Sequence, residues 1–136
     1  MQDRLTLDAD PAALARLNDW LAARFSEAGL APAVAADMKL CLNEAVTNTI
    51  CHGFDDPAGA RIAVELQAGP RRAVALVTDN GRPFDPLAAP LAAPIESLRS
   101  AQIGGFGIKL MRDTASALHY ERVGDTNRLR IECSAD

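Results

Sequence analysis

Met38-Lys39-Leu40-Cys41-Leu42-Asn43-Glu44-Ala45-Val46-Thr47-Asn48-Thr49-Ile50-Cys51-His52-Gly53 is the stretch on which the fold of this chain turns. It reads as one helix. Glu44, Asn48 and His52 recur every four residues, so each lies about 40° further round the helix than the last, on a single stripe. Val34, Met38, Cys41, Leu42, Ala45 and Thr49 fall on the adjoining arc, which is mostly apolar. Asn43 and Thr47 fall on the outward face. The polar stripe therefore borders the core-facing side. A carboxylate and an amide there need partners, because burying either one unpaired is costly. A cation and a ligand are the natural candidates.

Working outward, Pro32 opens this helix and Gly53 closes it. Before it, Arg4 to Leu7 alternates polar and apolar residues as a short strand does. Asp10 and Pro11 then start a first helix with Leu14, Leu17, Leu21, Phe25 and Ala28 on one face, ended by Gly29. After it, Ile62, Val64 and Leu66 alternate with polar residues in a second strand, and Gly69-Pro70 makes a turn. Ala73 to Val77 is nearly continuous in apolar residues, as an interior strand is. It runs into Asp79-Asn80-Gly81-Arg82-Pro83-Phe84-Asp85-Pro86.

Leu87 to Ile103 is rich in alanine and proline, with a short helical pattern at Ile95 to Arg99. A connection of this length in a compact domain is a functional lid or a disordered segment, and the lid is the reading taken. Gly104-Gly105-Phe106-Gly107 opens a third helix carrying Ile108, Leu110, Met111, Ala115 and Leu118. Two last strands, near His119 to Val123 and Arg128 to Cys133, are joined by Gly124-Asp125-Thr126-Asn127. The order β-α-α-β-β-lid-α-β-β predicts an α+β two-layer sandwich, with a mixed, mostly antiparallel sheet and helices on one face. A doubly wound sheet would alternate strands and helices regularly, and this chain does not.

The chain has 136 residues, enough for one domain with a real core. The reading is a single domain over residues 1–136, with a lid around residues 84–104. A formal charge of −4 argues against a nucleic-acid binder, which needs a basic face. Cys41, Cys51 and Cys133 are odd in number and lack metal-ligand spacing, so they read as small hydrophobes in a reducing compartment. No stretch approaches the roughly 18 apolar residues of a membrane span, and the N-terminus has no apolar signal core, so a cytoplasmic location is expected.

The helix stripe, the Asp79-x-Gly81 turn and the Gly105-x-Gly107 pair each have an ordinary structural explanation. Together they describe one job. Glycines at a helix N-terminus let phosphates approach backbone amides, with the helix dipole helping. Asn48 offers an amide oxygen suited to Mg²⁺. Glu44, one turn away, can take a proton from an attacking hydroxyl. Asp79 can accept a hydrogen bond from the exocyclic amine of a purine such as adenine. Lys109, in the first turns of the third helix, reads as a phosphate contact or as a solvated charge. Arg99 is a lesser candidate for the γ-phosphate, and His52 reads as a structural residue at a helix end.

Asn43-Glu44-Ala45-Val46-Thr47-Asn48-Thr49-Ile50-Cys51-His52-Gly53, Asp79 to Pro86, and Gly104-Gly105-Phe106-Gly107-Ile108 resemble the three ATP-site boxes of the gyrase, Hsp90, histidine kinase and MutL superfamily. Within it the chain is similar to the anti-sigma factor serine/threonine kinases. The resemblance implies a Bergerat-type ATP-binding fold, with ATP and Mg²⁺ as cofactors. By the same likeness Glu44 matches the general base, Asn48 the magnesium ligand, Asp79 the adenine-reading aspartate with Gly81 beside it, and Gly105 and Gly107 the phosphate-loop glycines. It implies an anti-anti-sigma factor as phosphorylation substrate, a sigma factor as the sequestered partner, and a homodimer.

There are departures from that pattern. Pro83 stands where the superfamily often has a second glycine, which stiffens the lid hinge. Gly124-Asp125-Thr126-Asn127 has the late glycine and threonine in the wrong spacing, so neither Thr126 nor Asn127 is assigned a nucleotide contact. The alternative reading is a non-catalytic ATP-binding module that sequesters a regulator without phosphorylating it. A histidine kinase is the weakest reading: neither His52 nor His119 lies in a dimerisation helix ahead of the first helix.

Overall fold

A computed structural model describes residues 2–87 and 106–135, without the side chains of Gln2, Pro57 and Phe106. Strand β1 (Gln2–Leu7) leads into helices α1 (Ala13–Ala28) and α2 (Pro32–His52). After a 3₁₀ turn at Pro57–Gly59 come strands β2 (Ile62–Ala68) and β3 (Arg72–Asp79). Helix α3 (Phe106–Thr114) and strands β4 (Ala117–Val123) and β5 (Thr126–Ser134) complete the described chain. The five strands form one sheet in the order β1-β2-β3-β5-β4. Every pairing is antiparallel, so the sheet expected to be mixed has no parallel pair among the described strands.

Alternation sets the two faces of the sheet. Ile62, Val64 and Leu66 of β2, Ala73, Ala75 and Val77 of β3, and Leu129, Ile131 and Cys133 of β5 are buried. Leu17, Leu21 and Phe25 of α1 and Val34, Met38, Cys41, Leu42 and Val46 of α2 complete the same core. Each fully buried aliphatic side chain of this kind contributes about 1.5–3 kcal/mol. Ala73 and Ala75, both at 0% exposure in the central strand, leave room for α2 to lie against the sheet.

Local chemistry explains the helix ends. The carboxylate of Asp10 accepts the Ala12 amide at 2.9 Å and the Asp10 carbonyl accepts Ala13 N–H at 3.1 Å. This tight turn precedes regular helix, which begins at Ala13 and not at Pro11. Gly29 closes α1 in the left-handed region (φ 64), with Leu30 N–H on the Phe25 carbonyl and Gly29 N–H on that of Ser26, a Schellman closure. Pro32 is the first residue of α2, where its missing amide hydrogen leaves no gap.

One expectation is corrected inside α2. Asn43 does not face outward to solvent. Its amide pairs reciprocally with Asn18 of α1, at 2.8 and 3.0 Å. Two amides that satisfy each other are tolerated between packed helices, whereas one alone is not. Trp20 and Phe25 both belong to the core, Trp20 partly exposed at its edge. The short helical pattern at residues 95–99, and with it most of the lid, lies outside the described residues.

Candidate functional site

The site forms where α2, β3, β5 and α3 meet. Asn48, Asp79 and Asn127 are the buried polar side chains of the described residues, at 4%, 8% and 5% exposure. All three line one cleft, with Ala45, Val77, Met111 and Leu129 as apolar walls. The cleft holds about 450 Å³ of space between its atoms, the open solvent at its mouth included. A few convergent polar groups in apolar walls are the usual composition of a small-molecule site.

Asp79 ends β3. Its Oδ1 accepts Gly81 N–H at 2.8 Å and the Asn127 amide at 2.9 Å. Gly81 is demanded by packing: a Cβ there would stand 2.5 Å from the Gly53 carbonyl oxygen and 3.0 Å from Asp79 Oδ1. Arg82 N–H donates to that same Gly53 carbonyl at 2.9 Å. The loop after β3 is thus docked on the C-terminal end of α2, which brings Asp79 beside Asn48. The close approach of Gly81 is to Gly53 backbone, behind the cleft.

Asn48 Nδ2 is buried and has no hydrogen-bond partner among the described residues. Leaving such a group unpaired costs about 1–3 kcal/mol, and it lies in the wall of a cleft. Glu44, one turn earlier, is half-buried. Its carboxylate lies against the start of α3, where a Cβ on Gly107 would come within 2.1 Å of Glu44 Oε2. A carboxylate at a helix N-terminus is favoured by the dipole, and a phosphate would be favoured there for the same reason. Hard side-chain oxygens and the glycine cradle fit a magnesium nucleotide; the unpaired Nδ2 is a hydrogen-bond donor and no metal ligand. Among the described residues no group of three His, Cys, Asp or Glu could hold a metal by itself, so a bound Mg²⁺ would take most of its ligands from phosphate and water.

Gly107→Ala is an informative variant because its two effects separate. The atom in the way is the mobile end of the Glu44 side chain, and alanine suits a helix better than glycine by about 1 kcal/mol. Thermal stability should hold or rise by a few degrees, while activity that depends on the Glu44 carboxylate falls at least about tenfold. A melting curve and a turnover assay on one preparation check both.

The other expected residues divide. Lys109 is on the exposed side of α3, where it pairs with Asp113 at 2.7 Å, and it does not line the cleft. Gly105, Arg99 and Gly104 lie outside the described residues. His52 stacks on Phe84 at 5.9 Å, which keeps Phe84 at the cleft mouth. Three residues were missed. Asn127 donates to Asp79 and to the Arg82 carbonyl, at 2.9 and 2.8 Å. Tyr120 donates its hydroxyl to Asn127 Oδ1. Arg122 holds the Gly81 carbonyl at 2.8 Å. Asn127 shares strand parity with Leu129, Ile131 and Cys133, which is the signal that could have found it.

The cysteines carry no site chemistry. Cys41 and Cys133 are buried and Cys51 is exposed, all as free thiols. Contact with Cys133, then burial, pushes the Cys41 thiol far up from its ordinary range, so it stays protonated. No helix among the described residues is long and apolar enough to cross a membrane.

An α+β sandwich whose cleft is lined by Asn48 and a strand-end aspartate, with the Glu44 carboxylate at a helix start outside that lining and one turn from Asn48, is the frame of a nucleotide-dependent domain. The chain belongs to the histidine kinase-like ATPase domain family, whose profile matches residues 7–133. It is similar to the serine/threonine-protein kinase BtrW of Bordetella bronchiseptica, with 37% identity over 95 residues, covering 69% of this chain and 66% of the relative. It is also similar to the serine-protein kinase RsbW of Listeria innocua, with 34% identity over 89 residues, covering 62% and 55%. The chain thus spans between half and two thirds of the length of these curated relatives. The crystal structure of the RsbU and RsbW domains of Rv1364c from Mycobacterium tuberculosis covers 100% of this chain and 33% of that one, with a TM-score of 0.69 at 19% identity. That likeness is one of fold.

Proposed function

We propose that this chain is an ATP-dependent serine/threonine protein kinase and anti-sigma factor. It phosphorylates a hydroxyl of an anti-anti-sigma partner, and in its other state it holds a sigma factor, as a cytoplasmic homodimer. The observation that carries this reading is the Glu44 carboxylate at the start of α3, one helical turn from Asn48, whose buried side chain lines one cleft together with Asp79. The names of the BtrW and RsbW relatives support the same reading.

Bound Mg-ATP supplies the phosphoryl group and the charge neutralisation that its transfer needs. Asp79 accepts the hydrogen bond of the base, and its strand-end position fixes where the base can lie. Asn48 would hold the metal through its side-chain oxygen. Gly107 at the start of α3, with Gly105 assigned alongside it from the sequence box alone, serves the phosphates, and Lys109 is available to them once released from Asp113. Glu44 accepts the proton of the partner's hydroxyl as that oxygen attacks, and the apolar walls exclude competing water.

The direct test is phosphorylation. Purified protein, Mg-ATP and the anti-anti-sigma protein of the same genome should yield phosphoserine or phosphothreonine in the substrate. If no phosphate is transferred while a pull-down recovers a sigma factor, the chain is a binding module and the kinase reading fails.

A second expected result separates use from structure at Asn48. Asn48→Leu removes a buried amide whose Nδ2 has no partner among the described residues, so the free protein should hold its stability or gain about 1–3 kcal/mol. Mg-ATP affinity should fall by about tenfold or more, because the metal loses a protein ligand. Calorimetric titration beside a thermal melt measures the pair. A loss of stability with unchanged Mg-ATP affinity would make Asn48 a structural residue.

A further inference from the structure

We propose that Tyr120 and Asn127 are positioning residues that set the base specificity of the cleft: Tyr120 orients the Asn127 amide, and Asn127 presents Asp79 with one fixed acceptor. This rests on the reading of Asp79 as the residue that contacts the base.

The argument begins with hydrogen-bond capacity. Asn127 stands opposite Asp79 in the β3–β5 register and is 5% exposed. Both hydrogens of Nδ2 are spent, one on Asp79 Oδ1 at 2.9 Å and one on the Arg82 carbonyl at 2.8 Å. Its Oδ1 accepts from the Tyr120 hydroxyl and from Phe84 N–H at 3.4 Å. Turning the amide over would set its oxygen against a carboxylate and a carbonyl, acceptor against acceptor. Its orientation is therefore fixed by four partners, and Asn127 has no capacity left for a ligand.

What Asn127 does is act on Asp79. Gly81 N–H and Asn127 both donate to Oδ1, so that oxygen is consumed. Oδ2 makes no hydrogen bond among the described residues and is the acceptor on offer to the cleft. An acceptor held in one place prefers a base edge that carries an amine over one that carries a carbonyl. Without Asn127 the carboxylate keeps only the Gly81 N–H on Oδ1, its tilt is no longer fixed, and the discrimination blurs. Tyr120 acts one step further out. It lies on β4 beside Leu129 of β5, and its hydroxyl braces the amide in the orientation that the Asp79 carboxylate and the Arg82 carbonyl select.

A purely structural role for the pair would weaken all nucleotides alike, so the readout is a ratio. Affinities for Mg-ATP and Mg-GTP are measured by calorimetry for the wild type, Asn127→Leu and Tyr120→Phe, with thermal melts alongside. The wild type should prefer ATP. Asn127→Leu should shrink the ATP-to-GTP preference about 10- to 100-fold, the effect of losing a hydrogen bond to a charged group. Tyr120→Phe should shrink it about 3- to 10-fold in the same direction with little change in melting temperature. If both affinities fall together and the ratio holds, the inference is overturned. Should Asn127→Leu fail to fold, Tyr120→Phe decides: an unchanged ratio there refutes the assignment. A wild type that binds both nucleotides equally refutes the reading of Asp79 itself, which is a different failure.

Discussion

Glu44→Gln should lower phosphoryl transfer to the partner protein by about 100- to 10,000-fold while leaving Mg-ATP affinity within a small factor. The range is the usual contribution of a positioned general base. Glutamine has nearly the same shape and still fits against Gly107, so the start of α3 keeps its place. What it lacks is the ability to take a proton. The carboxylate's position makes the prediction sharp. It is half-buried on α2, one turn from Asn48, and there is no room for a single added carbon between it and Gly107. Equilibrium binding and a single-turnover transfer assay on the same protein separate the two effects. A variant that transfers phosphate at the wild-type rate would remove Glu44 from the chemistry.

Gly107→Ala tests the same contact from the other side. If alanine acts by displacing the carboxylate, it has little left to displace once Glu44 is glutamine and the base is gone. The double variant should then be barely slower than Glu44→Gln alone. Non-additivity of that kind is what two residues acting as a unit produce. Additive losses would mean that Gly107 matters for the phosphate path and not for Glu44.

The sequence made the helix frame legible because the relevant signals are local. Pro32 and Gly53 bracket α2, and four-residue spacing alone puts Glu44 and Asn48 on one stripe. Asp79 was legible as the end of an apolar run followed by Asn80-Gly81. What escaped depends on register across the sheet. Treating Gly124 to Asn127 as one turn put Asn127 in a loop. In the fold the turn is Gly124-Asp125, with Gly124 at φ 61, and Thr126 already pairs with Val123. That two-residue shift is what turns Asn127 inward, opposite Asp79. Tyr120 and Arg122 follow from the same hairpin and have no motif of their own. Asn43 was misplaced for a related reason. A helical wheel gives the direction of a side chain but not the neighbour that waits there, and α1 brings Asn18 to meet it. Lys109 shows the converse. Its proximity to a glycine pair suggested a phosphate ligand, yet Asp113, one turn on, is the nearer partner.

Asp79→Asn should do more than remove a charge; it should invert the preference of the cleft. Gly81 N–H and the Asn127 amide both donate to Oδ1 of Asp79. An asparagine at that position must therefore place its oxygen there, because an amide nitrogen would face two donors. Its NH₂ group then occupies the place of Oδ2 and points into the cleft. A donor now meets the amine of adenine, so a charged hydrogen bond is lost and two donors oppose each other. Together these should weaken ATP by about 100- to 10,000-fold. A base with a carbonyl at that edge finds a matching donor instead, so GTP or ITP should lose much less and come to bind better than ATP. The fold should tolerate the change, since the substitution is nearly isosteric and both internal hydrogen bonds survive on one oxygen. Competition of the three nucleotides for the variant, with a melting curve as control, measures the inversion. If ATP is still preferred, Asp79 does not read the amine. If all three are lost equally with a lowered melting temperature, the aspartate serves the sheet end and not the ligand.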